Sequence, residues 1–282
     1  MPDKIALITG CSNGFGLLTS VELAKAGYRV VATMRDLGRR AKLDQAITSA
    51  RVADTIDVRA LDVTHFPQIA GFVDALVRDY GRIDVLVNNA GFAMAGFAED
   101  IKLDELRTQF ETNFFGAVAM TKAVLPTMRK QRSGHIIQIS SIGGLQGSIT
   151  VSSYSASKHA LEGWSESLRL EVNALGIKVV LVEPGAFATG VWTEGARMGE
   201  EAKKNTSPNF QRSLRMREVI QKIPKADPMA VARAIVAIAQ DSNPKLRYLV
   251  GRDAKMQLVM KRILPWKTYE KMIANFLKID KS

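Results

Sequence analysis

Among its 282 residues the chain has a single cysteine, Cys11, and only three histidines. One cysteine excludes an internal disulfide, and three scattered histidines do not make a zinc site. No run of about eighteen apolar residues is present to span a membrane. The first ten residues, MPDKIALITG, are charged and then briefly apolar. They lack the apolar stretch and cleavage site of a secretory leader, so a cytoplasmic location is expected. Repeats, low-complexity tracts and Gly/Ser linkers are absent, which argues against solenoids and strings of tethered domains.

What is present suffices for a core. Hydrophobic residues make up 46% and charged residues 24%, the balance of a folded chain. The length admits one large α/β domain or two small ones. The net charge of +11 is unevenly spread. Residues 1–196 carry 20 basic and 20 acidic side chains, whereas 197–282 carry 19 and 8. Such a basic stretch suits nucleic acid, an anionic membrane, an acidic partner or a solvated surface.

Short apolar runs alternate with amphipathic stretches. Runs at 5–9, 29–34, 56–61, 84–88, 135–140, 177–183 and 246–250 read as strands buried on both faces. Helical patterns lie at 14–26, 38–50, 66–80, 103–130, 152–174 and 228–240. This alternation predicts an α/β fold: a Rossmann-type, doubly wound, parallel seven-stranded sheet with helices on both faces. Ligands of such sheets bind beyond the carboxyl ends of the strands.

The first strand runs into Gly10, Cys11, Ser12, Asn13, Gly14, Phe15 and Gly16 and then a helix. Glycines there permit a tight turn and close approach to a pyrophosphate, and the helix N-terminus supplies free N–H groups. The second strand ends at Met34, Arg35 and Asp36. An NAD site usually has a carboxylate there, whereas a 2′-phosphate needs a cation. Arg35, helped by Ser12, favours NADP(H) over NAD(H). Two other readings stay open: Arg35 pairs with Asp36, or Asp36 is the acid after a one-residue shift. Asp62 and Val63 follow the third strand and suit the adenine; Asn88, Asn89, Ala90 and Gly91 follow the fourth and suit a ribose while stitching strands together.

Tyr154 and Lys158 stand four apart on a predicted helix and share a face. An ammonium beside a phenol favours phenolate, which makes Tyr154 a plausible acid/base. Ser141 precedes Tyr154 by thirteen residues at a strand end, with Ser140 as the competing hydroxyl. Asn113, on the helix before, is either a satisfied core amide or the holder of a water beside Lys158.

Together these motifs resemble the short-chain dehydrogenase/reductase family over about residues 4–250. They are T-G-x-x-x-G-x-G from Thr9, N-N-A-G from Asn88, Asn113, Ser141, Y-x-x-x-K from Tyr154, and P-G-x-x-x-T from Pro184. The resemblance implies a tetrad of Asn113, Ser141, Tyr154 and Lys158. It implies that Lys158 binds the nicotinamide ribose, and that Pro184, Gly185 and Thr189 place the nicotinamide amide. It also implies a homodimer or homotetramer through paired long helices. Residues 10–12 and 32–36 and the long C-terminal segment resemble the 17β-hydroxysteroid and retinol dehydrogenase branch. An oxidoreductase acting on a carbonyl or secondary alcohol is the expectation; a non-catalytic cofactor-sensing protein on the same fold is the other.

The domain is expected to span 1–251, with a substrate lid at 186–226 read as a long loop. Phe92, Met94, Leu145, Phe187, Val191 and Trp192 suit an apolar ketone or alcohol as the small-molecule substrate. Residues 252–282 form a basic amphipathic extension with Met256, Val259, Met260 and Ile263 at helical spacing. It would dock on the body, cover the pocket or lie on an anionic membrane. The charge thus belongs to a lid and a tail, and nucleic acid is not an expected partner.

Overall fold

The computed structural model describes residues 4–188 and 196–277. Seven strands form one all-parallel sheet in the order β3-β2-β1-β4-β6-β7-β9. They are β1 (Lys4–Ile8), β2 (Tyr28–Met34), β3 (Ile56–Ala60), β4 (Val85–Asn88), β6 (Gly134–Ile139), β7 (Ile177–Pro184) and β9 (Arg247–Val250). All seven expected strands are present, shifted by at most a residue or two at their ends.

Strand periodicity explains the two-sided core. Alternate side chains of a strand point to opposite faces. Ala6, Ile8, Val30, Ala32, Val85, Val87, Val180 and Val182 pack on one face, with α1 (Gly14–Lys25), α2 (Ala41–Ala50) and α8 (Met229–Gln240). Ile5, Leu7, Val31, Leu86, Ile136 and Val179 pack on the other, with α3 (Phe66–Tyr80), α5 (Gly116–Gln131) and α6 (Ser152–Val172). A strand buried on both faces therefore reads as an unbroken apolar run.

The order reverses between β1 and β4. Their carboxyl ends splay into a crevice, the usual ligand site of an open parallel sheet. The turn after β1 and the Asn89–Gly91 segment after β4 line it.

Three features depart from the sequence reading. The helix expected over 103–130 is α4 (Leu103–Phe110), a π-helical turn (Glu111–Phe115) and α5. A π turn adds a single residue inside an otherwise continuous helix, and one shifted position is too little for the 3.6-residue pattern on either side to mark where it falls. Two three-residue strands, β5 (Ala93–Ala95) and β8 (Ala196–Met198), pair in parallel outside the main sheet. The stretch read as a long loop contains α7 (Phe210–Lys222). Its start is held by Ser207 and Asn209, which donate to Asp100 at 2.7 and 3.2 Å, and Arg212 stacks 4.6 Å over the Phe97 ring. Those polar anchors stand over a hundred residues away in the chain.

The C-terminal segment forms α9 (Arg252–Ile263) and α10 (Trp266–Leu277). It docks on the body. Asp253 accepts from Ala186 N at 2.7 Å, Gln257 accepts from Gln146 at 2.7 Å, and Lys261 donates to Leu145 O at 2.6 Å. Ala254 and Tyr269 are buried by this contact.

Candidate active site

The glycine turn after β1 is fixed by packing as well as by conformation. Gly10 has φ +73°, a left-handed value that favours glycine. A Cβ on Gly16 would sit 2.4 Å from Gly10 O and 2.5 Å from Asn89 Nδ2, so only glycine lets α1 start this close to the turn. Asn89 Nδ2 donates to Thr9 O at 2.8 Å and Gly10 O at 3.0 Å. Thr9 Oγ1 accepts from Asn89 N and Ala90 N, both at 3.0 Å. The N-N-A-G segment thus braces the glycine turn, while Asn88 donates to Ala117 O and Thr121 on α5.

A cleft of about 400 Å³ lies over this turn, bounded by Ser12, Asn13, Phe15, Arg35, Asp62 and Gly91. Asp36 accepts from Gly38 N at 2.9 Å and so closes its own turn. Neither Arg35 nor Arg39 has a carboxylate partner among the described residues, and both line the cleft with Met34. The Arg35–Asp36 pair considered from sequence is therefore not formed. Asp62 accepts from Thr64 N and Oγ1 at 2.9 and 2.7 Å. Val63 is buried beside Gly116, where a Cβ would be 2.8 Å from its Cγ2. Size, a helix N-terminus and two unpaired guanidinium groups fit a nicotinamide dinucleotide.

At the other end of the cleft Ser141, Tyr154, Lys158, Pro184 and Gly185 share one wall with Phe15, Phe92 and Phe187. Ser141 caps a short turn by accepting from Gly143 N at 3.0 Å, and its hydroxyl is hydrogen-bonded to the Tyr154 phenol. Ser140 faces the opposite way, toward Gly144 and Glu162. Strand alternation separates the two hydroxyls, and Ser141 is the one brought to Tyr154.

Lys158 is 6% exposed and donates to Ile139 O at 2.7 Å. Its Nζ is 5.8 Å from the Tyr154 ring centroid. Burial pushes Lys158 down to about 8. Burial also raises the Tyr154 phenol, and the Ser141 hydrogen bond opposes that only in part. The sequence reading has Lys158 depressing Tyr154; in this arrangement desolvation dominates, and the phenol keeps its proton at neutral pH.

The Asn113 side chain is committed to structure. Its Oδ1 accepts from Phe92 N at 3.1 Å; its Nδ2 donates to Phe92 O at 3.0 Å and Ser157 Oγ at 3.3 Å. One turn earlier Gln109 donates to Phe92 O and accepts from Met94 N, both at 2.7 Å. The two amides clamp the extended segment that carries Phe92 and Met94, and Asn113 ties it to α6.

Arg39, Gln109 and Arg197 are site residues that sequence reasoning missed. Arg197, on β8, stacks 4.2 Å over the Phe92 ring and lines the cofactor-sized cleft. Only the pairing of β5 with β8 brings it there. Arg39 sits four residues past Arg35, a spacing visible in the sequence. Of the apolar residues singled out, Phe92, Met94 and Phe187 are buried around the site, whereas Leu145 lies under the C-terminal helices. Thr189, Val191 and Trp192 lie outside the described residues. The described residues hold no His/Cys/Asp/Glu group suited to a metal.

The short chain dehydrogenase family profile matches residues 4–198. The chain is 41% identical to a 3-ketodihydrosphingosine reductase of Bacteroides thetaiotaomicron over 255 residues, covering 89% of each. It is 40% identical to human retinol dehydrogenase 8 over 256 residues, covering 86% of this chain and 80% of that one. The NADP-bound structure of ElxO superposes with a TM-score of 0.72 at 28% identity, covering 88% of this chain and 96% of that one. A glycine turn, a Ser–Tyr–Lys wall and matches of this extent lead to one assignment: the chain belongs to the short-chain dehydrogenase family of oxidoreductases, and retinol-dehydrogenase-like proteins are among its relatives.

Proposed function

We propose that the protein is an NADP(H)-dependent reductase of an apolar ketone or aldehyde. The observation that carries the reading is the buried wall where Ser141 and Lys158 flank Tyr154 between the dinucleotide-sized cleft and the rings of Phe92 and Phe187. Gly10, Ser12, Asn13, Gly14, Phe15 and Gly16 would cradle the pyrophosphate, and Asp62, Val63, Asn89, Ala90 and Gly91 the adenine and ribose side. Arg35 and Arg39 would pair with the 2′-phosphate, and Pro184, Gly185 and Thr189 would border the nicotinamide. When bound, that cofactor supplies the hydride.

The residues do the rest. Ser141 and Tyr154 donate to the substrate oxygen and hold the carbonyl in place. Tyr154 gives that oxygen its proton. Lys158 stabilises the phenolate left behind. Asn113 keeps Phe92 and α6 in register. A phenol that holds its proton at neutral pH is in the form needed to protonate a carbonyl oxygen. The two relatives act on a sphingoid ketone and a retinol by name, in keeping with an apolar pocket.

The test is NADPH oxidation with a panel of aldehydes, ketones, steroids and quinones, run beside NADP⁺ with the matching alcohols. Turnover of a panel carbonyl is expected. Faster alcohol oxidation at neutral pH would reverse the direction; cofactor binding with no turnover would favour the cofactor-sensing alternative.

We also assign a surface role to the C-terminal helices. Met256, Val259, Ile263 and Trp266 are between 52% and 74% exposed, on helices that carry Lys255, Arg262, Lys267 and Lys271. Apolar side chains beside cations suit peripheral contact with an anionic membrane. No helix of the described residues is long and apolar enough to cross one. Wild-type protein is expected to float with phosphatidylserine vesicles, and a Val259→Glu/Ile263→Glu double variant to stay in solution; equal flotation would exclude this face. A buried lone thiol fits a cytoplasmic enzyme. Leu170, 82% exposed on α6, and Phe115 favour a homodimer or homotetramer through the long helices.

A further inference from the structure

On the far side of Lys158 from the cleft the fold buries two carboxylates. Glu162 lies one turn beyond Lys158 on α6 and is 5% exposed; Glu183, just before Pro184 on β7, is 1% exposed. Both lean on one cation. Arg247 of β9 places Nε 3.1 Å from Glu162 Oε2 and 3.4 Å from Glu183 Oε1. Its other arm reaches the exposed Glu166 at 2.9 Å. The Oε1 atoms of Glu162 and Glu183 have no hydrogen-bond partner among the described residues. Two buried carboxylates that lean on one guanidinium disfavour each other's ionisation, which favours keeping a proton on one of them.

The surroundings say which acid holds it. Burial raises the Glu162 carboxyl, and Ser140, Arg247 and His159 oppose that shift by favouring its charged form. Glu183 has the weaker pull of Arg247 and of Arg262 on α9, and the charge of Glu162 opposes its ionisation. Burial together with Glu162 pushes Glu183 up to about 8. Lys158 has the converse problem, since burial disfavours its charge, and the group that draws it back up is Glu162.

We propose that Glu162 is a positioning residue for the reaction: its ionised carboxylate keeps Lys158 an ammonium behind Tyr154, while Glu183, the neighbouring buried acid, is the one that stays protonated. The functional importance of this device rests on the reading of Tyr154 as the acid. Its charge states can be measured without any turnover.

The experiment is NMR of the full chain carrying ¹³Cε-lysine and ¹³Cδ-glutamate. One lysine is expected to titrate far below the others, which titrate near their usual value of about 10.4; Lys158→Met removes that signal. In Glu162→Gln its midpoint should fall by about one pH unit or more. The sign follows from losing an opposite charge, which makes the ammonium easier to deprotonate. In Glu183→Gln, the neutral isostere, the midpoint should move less than half as far. One glutamate should remain protonated at pH 7 in wild type, and Glu183→Gln should remove its signal. An unmoved lysine in Glu162→Gln, or a wild type with every glutamate ionised at pH 7, overturns the proposal. The second measurement stands if Glu162→Gln does not fold. Failure of the carbonyl panel leaves these titrations intact, so the two readings fail separately.

Discussion

Tyr154→Phe is expected to lower carbonyl reduction by about 10³-fold or more, in line with the loss of a positioned proton donor. The change removes one oxygen. The ring stays in the apolar cluster it forms with Ala93 and Val151, so the fold survives. Ser141 keeps its bond to Gly143 N and still meets the substrate oxygen, but a serine hydroxyl beside it cannot deliver the proton as readily as a phenol. The cofactor contacts proposed above lie mainly on the glycine turn and on Arg35, so NADPH binding should change by no more than about threefold, roughly 0.7 kcal/mol. Fluorescence titration of NADPH and stopped-flow reduction separate the two effects. Retained turnover in the variant would remove Tyr154 from its proposed role.

The second large effect concerns Arg35 and Arg39. Replacing either by serine should weaken NADPH about 10- to 100-fold, as expected for losing a hydrogen bond to a charged group worth about 1.5–3 kcal/mol. NADH lacks the phosphate and should be affected by about threefold or less. The discrimination has a structural rationale. Asp36 is held by Gly38 N in its own turn, so its carboxylate does not compete for the two guanidinium groups. Equal losses for the two cofactors would mean that the arginines act through general charge alone. Tighter NADH than NADPH binding in wild type would overturn the proposed preference itself.

Much of this site is written locally. A glycine at 10 and another at 16 signal a turn that allows close approach, and the structure bears out the close approach at both. The thirteen-residue step from Ser141 to Tyr154 spans a strand end and a helix start, and the fold closes that step into a hydrogen bond. Choosing between Ser140 and Ser141 needs the direction of each side chain. That direction is set by β6 pairing with β4 and β7, not by the dipeptide. Asn113 shows a similar limit. Sequence places a polar amide on an apolar helix; only the fold shows it gripping Phe92 and Ser157.

The basic C-terminal third divides along the same line. Its helical spacing over 256–263 is visible in the sequence, and α9 is there. The sequence does not say which face docks. Asp253, Gln257 and Lys261 take the polar contacts to the body, leaving Met256, Val259 and Ile263 outward. The arginines of 212–217 read as loop because charge conceals the sparse apolar anchor of α7, where Ser213 and Met216 are the buried residues.

By itself the sequence determined the parallel sheet, the turn chemistry at its first strand and the Tyr154–Lys158 pair. Those depend on periodicity and on residues a few positions apart, which neighbouring backbone geometry constrains. Tertiary structure alone decided that Arg197 enters the cleft and that Glu162, Glu183 and Arg247 meet behind Lys158. Arg247 pairs with a glutamate 85 positions earlier in the chain. Such a meeting follows from the order of β6, β7 and β9 in the sheet and from burial, which makes two carboxylates and one guanidinium interact strongly. The same burial pulls Lys158 down toward 8 and holds the Tyr154 proton in place.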